Sequence, residues 1–516
     1  MGTDVVIVGA GHNGLVAACY LARAGLDVVV LERADHVGGA AVSAEVFPGV
    51  PARVSKYSYL VSLLPQAVID DLGVDLELVH RSVSSFTPNP GDPARGLVVH
   101  EDPEFLRSEF ARVTGDPSEA ERWAEFYART RRMADVIFPT LTAPLLAREE
   151  MRSRIDARDW ADFVESPLGN VIESSLTTDI ARGVVLTDGL IGTFADAHDP
   201  SLRQNICFLY HVIGNGTGSW DVPVGGMGAL TGHLAELARG WGARIITEAE
   251  VTSIDAQDSG ARVCARIVDE DVTFESRFVL ANCAPAVLDR LRGRVPRPPT
   301  GENTGAQIKV NMVLSRLPRL KDATVDPEDA FAGTFHINEN YTQLHDAATS
   351  ARAGNLPAPL PAEIYCHTLS DPSILGPELR ASGAQTLTMF VLQTPHSLFT
   401  SDAPPTREEL RTAVLATLDS VLAEPITDCI LRTPDGSECL EINTTLDIEA
   451  SLGIPTGNIF HTPLDWPWAM TPDEVGTWGV ETDVASLVLC GSGARRGGGV
   501  SGIPGHNAAQ YVLASL

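Results

Sequence analysis

The chain has 516 residues, too many for one ordinary hydrophobic core, so two or more domains are expected. Its formal charge of −29 argues against nucleic acid as a partner and against electrostatic docking on anionic lipid. Eight cysteines without a C-x-x-C pair and thirteen histidines without H-E-x-x-H spacing predict reduced thiols, no disulfide frame and no structural or catalytic metal.

Reading from the N-terminus, MGTD passes directly into the strand-like VVIVGAG and leaves no room for a secretory leader, so a cytoplasmic protein is expected. Val5–Val8 is an apolar run short enough for a buried parallel strand. Gly9, Gly11 and Gly14 follow as G-x-G-x-x-G, and a helical pattern then places Leu15, Ala18, Leu21 and Ala22 on one face. A second apolar run, Asp27–Leu31, ends at Glu32. In this setting Gly9 permits the tight turn, Gly11 lets the backbone approach a pyrophosphate, and Gly14 lets helix and strand pack closely. The helix N-terminus offers free N–H groups to phosphate, and Glu32 accepts hydrogen bonds from ribose hydroxyls. The stretch predicts a dinucleotide cradle.

Two further features select FAD. Arg33 and the pair Gly38-Gly39 complete E-R-x-x-x-x-G-G, a second close approach beyond the ribose acid. At the other terminus, CGSGARRGGGVSGIPGHN (Cys490–Asn507) gathers seven glycines around Arg495-Arg496 before a final helix. Glycine is entropically costly in a folded element, so this density predicts backbone held against a ligand. Such a return from the distant end suits a flavin, whereas an NAD site needs none. The last helix begins near Pro504, which places Val500 to Ile503 at the flavin edge that gains negative charge on reduction.

Between the termini, 75–217 carries helical signals such as SEAERWAEFYARTRRMADVIF, and 306–440 alternates strand patterns with Pro-rich loops. The apolar stretch ADVIFPTLTAPLLA (Ala134–Ala147) either lines a substrate chamber or touches a bilayer peripherally, and the net charge favours the chamber. Scarce lysine beside plentiful arginine and alanine suggests a GC-rich bacterial source.

GAGHNGLVAA, the ER…GG pair, VPVGGMGALT at Val222–Thr231, NIFH at Asn458–His461 and the C-terminal glycine segment together resemble the phytoene desaturase-related FAD oxidoreductases. The likeness spans essentially the whole chain and is nearest the phytoene dehydrogenase-like branch. It implies an α/β fold: a Rossmann-type FAD-binding domain like that of amine oxidases, with an inserted α+β substrate domain. The expected division is FAD domain 1–74, 218–305 and 445–516, and substrate domain 75–217, mainly helical, and 306–444, sheet plus helices.

The likeness also implies that the Val251 backbone lies near the adenine. Where amine oxidases read Gly-Asp after the flavin strand, this chain reads Gly491-Ser492, leaving a hydroxyl and backbone donors. Lys309, one of only three lysines, falls in the strand pattern QIKVNMV, and related amine oxidases hold water at the flavin with a lysine on a comparable strand. An outward-facing strand lysine is the plain alternative. Arg495 or Arg496 could sit over the flavin or grip an anionic group, unless both are solvated or acid-paired. Tyr57, Tyr59, Tyr210, His211 and His461 could line a chamber, although core or rim positions are the commoner fate.

The expected activity is flavin-dependent dehydrogenation, desaturation or oxidation of a hydrophobic, isoprenoid- or carotenoid-like small molecule. Amine oxidation at C–N and a non-enzymatic lipid escort on the same fold are the alternatives. A second strand–G-x-G-x-x-G–helix unit is absent from the sequence, so electrons are expected to leave to oxygen, a quinone or a redox partner.

Overall fold

The computed structural model describes residues 2–216, 218 and 220–516. Val5, Val6 and Ile7 are fully buried, as a parallel strand covered on both faces must be. Their strand, Gly2–Val8, lies between Val28–Leu31 and Glu270–Ala281, parallel to both. Arg244–Ile246 extends the parallel set on one side, and Leu487–Leu489 pairs with the far end of Glu270–Ala281 on the other. Ala249–Gln257 and Gly260–Ile267 complete this seven-stranded sheet as an antiparallel meander. Three distant stretches of chain therefore build one sheet. On one face the helices His12–Arg23, Met227–Gly240 and Ile503–Ala514 pack together in a single apolar core.

A second seven-stranded sheet runs in the order Leu440–Asn443, Ile308–Leu314, Gln385–Val391, Ala362–Tyr365, Thr334–Ile337, Val83–Asn89, Asp92–His100. Period-two alternation divides its faces: Ile308, Val310, Met312 and Leu314 enter one core, which turns Lys309 and Asn311 to the opposite face. A helical layer built from Pro103 to Val212 has its own core, centred on Phe110, Phe126, Trp160 and Phe208.

The structure corrects two expectations. Residues 83–100 sit in a stretch with helical signals, yet they form a hairpin on the second sheet. Asn89-Pro90-Gly91-Asp92 supplies the turn, a local signal that the helical pattern after Pro103 overshadows. The stretch Ala134–Ala147 does not line the cavity described below: it buries Ala134, Ile137 and Leu141 in the helical core. Among the described residues no helix is long and apolar enough to cross a membrane.

Candidate active site

Gly9 adopts φ +100°, and its N–H donates to the Leu31 carbonyl at 2.8 Å, turning the chain sharply off the first strand. Helix His12–Arg23 begins immediately after Gly11 with no acid in its first turn, so its N-terminal N–H groups remain available to an anion. Gly14 stands behind the cradle. A Cβ there would lie 2.4 Å from the Gly9 carbonyl oxygen and 2.7 Å from Asn282 Nδ2. Gly38 pairs with Gly11 as an isolated parallel bridge and donates to the Ala10 carbonyl at 2.9 Å. Glu32 ends the second strand, and its carboxylate accepts from the Ala10 and Ala34 N–H groups at 2.7 and 2.9 Å.

Nine of the residues picked out in the sequence line one cavity: Gly9, Gly11, Glu32, Arg33, Gly39, Val251, Ser492, Val500 and Lys309. Gly14, Gly38, Gly491 and Ile503 instead shape its wall from behind. A Cβ on Gly491 would lie 2.8 Å from the Asn282 carbonyl oxygen, and Ile503 is in the core. Tyr57, Tyr59, Tyr210, His211 and His461 also line the cavity. Asn282 is a contributor that motif reading missed: its Nδ2 donates to the Gly9 and Gly11 carbonyls at 3.0 and 3.4 Å. Its signal was present in VLANCAP, where Asn282 follows the strand that neighbours the glycine turn.

Three buried polar atoms around the cradle have no partner among the described residues: His12 Nε2, Asn13 Oδ1 and His461 Nδ1. Buried polar atoms are normally satisfied, so orphans gathered on a cavity wall fit a polar ligand. Burial, with the neighbouring His461 imidazole, pushes the His12 imidazole down to about 4. The C-terminal glycines answer to the same ligand space, since Gly498, Gly499 and Val500 line the cavity beside His12 and Asn13. Together these features fit FAD.

Arg495 is a correction. It does not line the cavity; its guanidinium pairs with Asp465 at 2.9 Å and Glu474 at 2.6 Å. Arg496 is buried and donates to the Thr140, Ala143 and Trp478 carbonyls, a structural clasp rather than a flavin contact.

The cavity has a volume of about 1170 Å³ and continues from the cradle to the second sheet. Single-ligand sites occupy roughly 300–1,000 Å³, so this space exceeds what one drug-sized ligand needs. Lys309 is 1 % exposed, and its Nζ lies 3.9 Å from the Tyr59 ring centroid and 3.3 Å from Thr388 Oγ1. Burial holds its ammonium well below the usual lysine range, against a smaller opposing pull from Glu441. Tyr59 and Tyr365 form a tilted pair with ring centroids 4.4 Å apart, both on the cavity wall.

The Lys309 shift has a measurable sign. Between its depressed folded value and the unfolded value of 10.5, the unfolded state binds more protons, so wild-type stability rises with pH across that window. Lys309→Met removes this penalty. Thermal denaturation at pH 7, 8.5 and 10 is expected to show the variant more stable at pH 7, with the gap closing towards pH 10. A gap independent of pH would mean that the ammonium is solvated.

A parallel sheet built from three chain segments, a glycine cradle with Glu32 at its edge and a chamber roofed by a second sheet define the class: a phytoene desaturase-related, FAD-dependent oxidoreductase. The comparisons with known proteins bear on the same point. Residues 7–65 match the family model of the NAD(P)-binding Rossmann-like domain. An uncharacterised Mycobacterium tuberculosis protein is 50 % identical over 99 % of this chain and 97 % of its own length. The Mus musculus pyridine nucleotide-disulfide oxidoreductase domain-containing protein 2 is 30 % identical, over 99 % of this chain and 94 % of its own. The chain belongs to that protein's family. Among solved structures, a variant of putrescine oxidase superposes with a TM-score of 0.61 at 18 % identity, covering 100 % of this chain and 99 % of its own, a likeness of fold.

Proposed function

We propose that this chain oxidises a small, mainly apolar molecule by hydride transfer to FAD inside the chamber. The observation that carries this reading is the continuity of one cavity from Gly9, Gly11 and Glu32 to Lys309 and Tyr59. Bound FAD supplies two-electron acceptance, and the protein supplies position and electrostatics. Helix His12–Arg23 holds the pyrophosphate at its N-terminus, Glu32 the ribose, and the Val251 backbone the adenine side. Ser492 and Val500 close the cradle from the C-terminal segment. Leu60, Leu63, Trp123, Val184, Ile191 and Phe390 give the substrate an apolar bed that excludes water. Lys309, favoured in its neutral form by burial, orders a water or takes a proton at Nζ. Electrons leave to oxygen, a quinone or a redox partner.

One observation favours a second reading, oxidation at C–N. The Tyr59–Tyr365 ring pair on the cavity wall beside Lys309 suits an amine set against that aromatic wall, and the fold neighbour putrescine oxidase acts on an amine.

The deciding experiment is the visible spectrum of the purified protein, then anaerobic mixing with isoprenoid polyenes and with primary alkylamines. Flavin absorption near about 450 nm is expected, with bleaching by the polyenes; bleaching by amines alone would install the second reading. A colourless protein that takes up no added FAD would overturn both and move a lipid-escort role forward. Glu32→Ala is expected to weaken FAD retention about 10–100-fold, since hydrogen bonds to a charged acceptor contribute about 1.5–3 kcal/mol. Equilibrium dialysis against FAD measures it.

A further inference from the structure

Strand register carries a row of side chains across the second sheet. Lys309 faces Phe390, Phe390 faces Glu363, and Glu363 faces His336. Directly opposed residues of antiparallel strands point to the same face, and all four line the cavity. With strands about 4.8 Å apart, Glu363 lies two strands and about 10 Å from Lys309. The chamber therefore has a lysine at one station and a separate polar station further along.

That second station converges. His336 Nδ1 lies 2.6 Å from Glu339 Oε2, and one ligand atom each of His336, Glu339 and Glu363 falls within 4.8 Å of the other two. All three residues are buried, Glu339 completely. Asn338, at φ +56°, turns the chain back so that Glu339 meets the imidazole three residues earlier. Tyr365 donates its hydroxyl to Glu363 Oε2 at 2.6 Å and fixes that carboxylate. Glu339 Oε1 is buried without a partner among the described residues. A third carboxylate, Asp188, lines the same cavity, and its side chain makes no hydrogen bond or ion pair among the described residues.

Basic groups do not resolve this concentration of acid. Arg81 lies near, with Nε donating to the Trp220 carbonyl and its guanidinium 5.8 Å from the Tyr365 ring centroid, but it forms no ion pair with Asp188, Glu339 or Glu363 among the described residues. Buried carboxylates are kept only if something neutralises them: protons, or a cation with oxygen and nitrogen affinity.

We propose that His336, Glu339 and Glu363 form a binding site for one divalent transition-metal cation, open to the substrate chamber and facing Asp188. One imidazole with carboxylates suits Mn²⁺, Fe²⁺ or Zn²⁺ better than the all-oxygen preference of Ca²⁺ or Mg²⁺. The cation satisfies Glu339 Oε1 and takes the place of the contact between His336 Nδ1 and Glu339 Oε2. Tyr365 acts one step out, holding Glu363 in its coordinating pose. The coordination positions left open face the chamber and suit an oxygen-bearing end of the substrate, about 10 Å along the sheet from Lys309. This reverses the expectation from sequence of a metal-free chain; only its account of the open positions rests on the flavin-enzyme reading.

The test uses full-length, FAD-loaded protein stripped with a chelator and titrated by calorimetry with MnCl₂ and, separately, ZnCl₂, with Mn²⁺ also followed by paramagnetic resonance. One site per chain is expected. His336→Gln and Glu339→Gln should lose it, and Tyr365→Phe should weaken it about 10–100-fold. The flavin spectrum reports independently that each variant is folded and loaded. A rise in melting temperature on adding Mn²⁺, present in wild type and absent from His336→Gln, supports the same site. Absence of a binding event with either metal, or binding unchanged by both substitutions, overturns the proposal and leaves shared protons as the neutralising agent. Either result leaves the flavin reading intact, because FAD content is measured separately.

Discussion

Gly505→Ala is expected to destabilise the protein by about 3 kcal/mol or more and to impair FAD retention in the same step. An alanine Cβ at this position would sit 2.0 Å from the Asn13 carbonyl oxygen, 2.9 Å from the Asn13 carbonyl carbon and 3.1 Å from the Ala17 nitrogen. These are backbone atoms of helix His12–Arg23, so no rotamer change relieves the contact. Helix Ile503–Ala514 must move outward from its densest packing partner, opening the joint core of the two helices. Asn13 and His12 also line the cradle, so displacement of their helix moves the N-terminal N–H groups offered to the pyrophosphate. Gly232→Ala is the matched control. It lies inside helix Met227–Gly240, a Cβ there meets nothing within 4 Å, and helix propensity predicts a gain of about 0.5–1 kcal/mol. Urea midpoints and bound FAD per chain decide the matter. A Gly505→Ala protein with both values at wild-type level would mean that the two helices are not in backbone contact.

The same contact shows which parts of the molecule were legible in the sequence. The cradle was legible because its chemistry is local: Gly9 to Gly39 bring turn, helix start, ribose acid and second glycine pair within one strand–helix–strand unit. The C-terminal glycines announced close backbone approach, but not what they approach. Gly498 and Gly499 face the cavity while Gly505 meets a helix, and only the folded chain separates these roles. Lys309 was visible as a strand lysine, but its face depends on which neighbours cover the sheet. The polar station was not legible. His336 and Glu339 are close in sequence, but Glu363 reaches them through the pairing of two strands, and register is a tertiary property. Nor does sequence order separate adjacent arginines with opposite fates.

Those arginines give the last expected result: Arg496→Met costs several kcal/mol, whereas Arg495→Met costs about 0–1 kcal/mol. Arg496 is 2 % exposed and holds a left-handed backbone conformation at φ +65°. Its Nη1 donates to the Thr140 and Ala143 carbonyls at 2.8 and 2.7 Å, and Nη2 to the Trp478 carbonyl at 2.8 Å. The glycine segment is thereby tied to the helical layer and to the loop before the last strand. Burial pushes the guanidinium down to about 10, still charged at neutral pH, so each bond is charge-assisted. Methionine fills most of the volume but leaves the Ala143 and Trp478 carbonyls unsatisfied, at about 1–3 kcal/mol each, while the Thr140 carbonyl keeps the Ala143 N–H as its donor. Arg495, itself 13 % exposed, pairs by contrast with Asp465 and Glu474, whose side chains are 51 % and 31 % exposed, so its loss leaves carboxylates that solvent and salt can reach. Urea denaturation of both variants at low and high salt, alongside FAD titration, checks the ranking. Arg496→Met should unfold at markedly lower urea at either salt, and Arg495→Met should retain wild-type FAD affinity. A stable Arg496→Met beside an Arg495→Met that loses FAD would return Arg495 to the flavin and undo the assignment of the clasp.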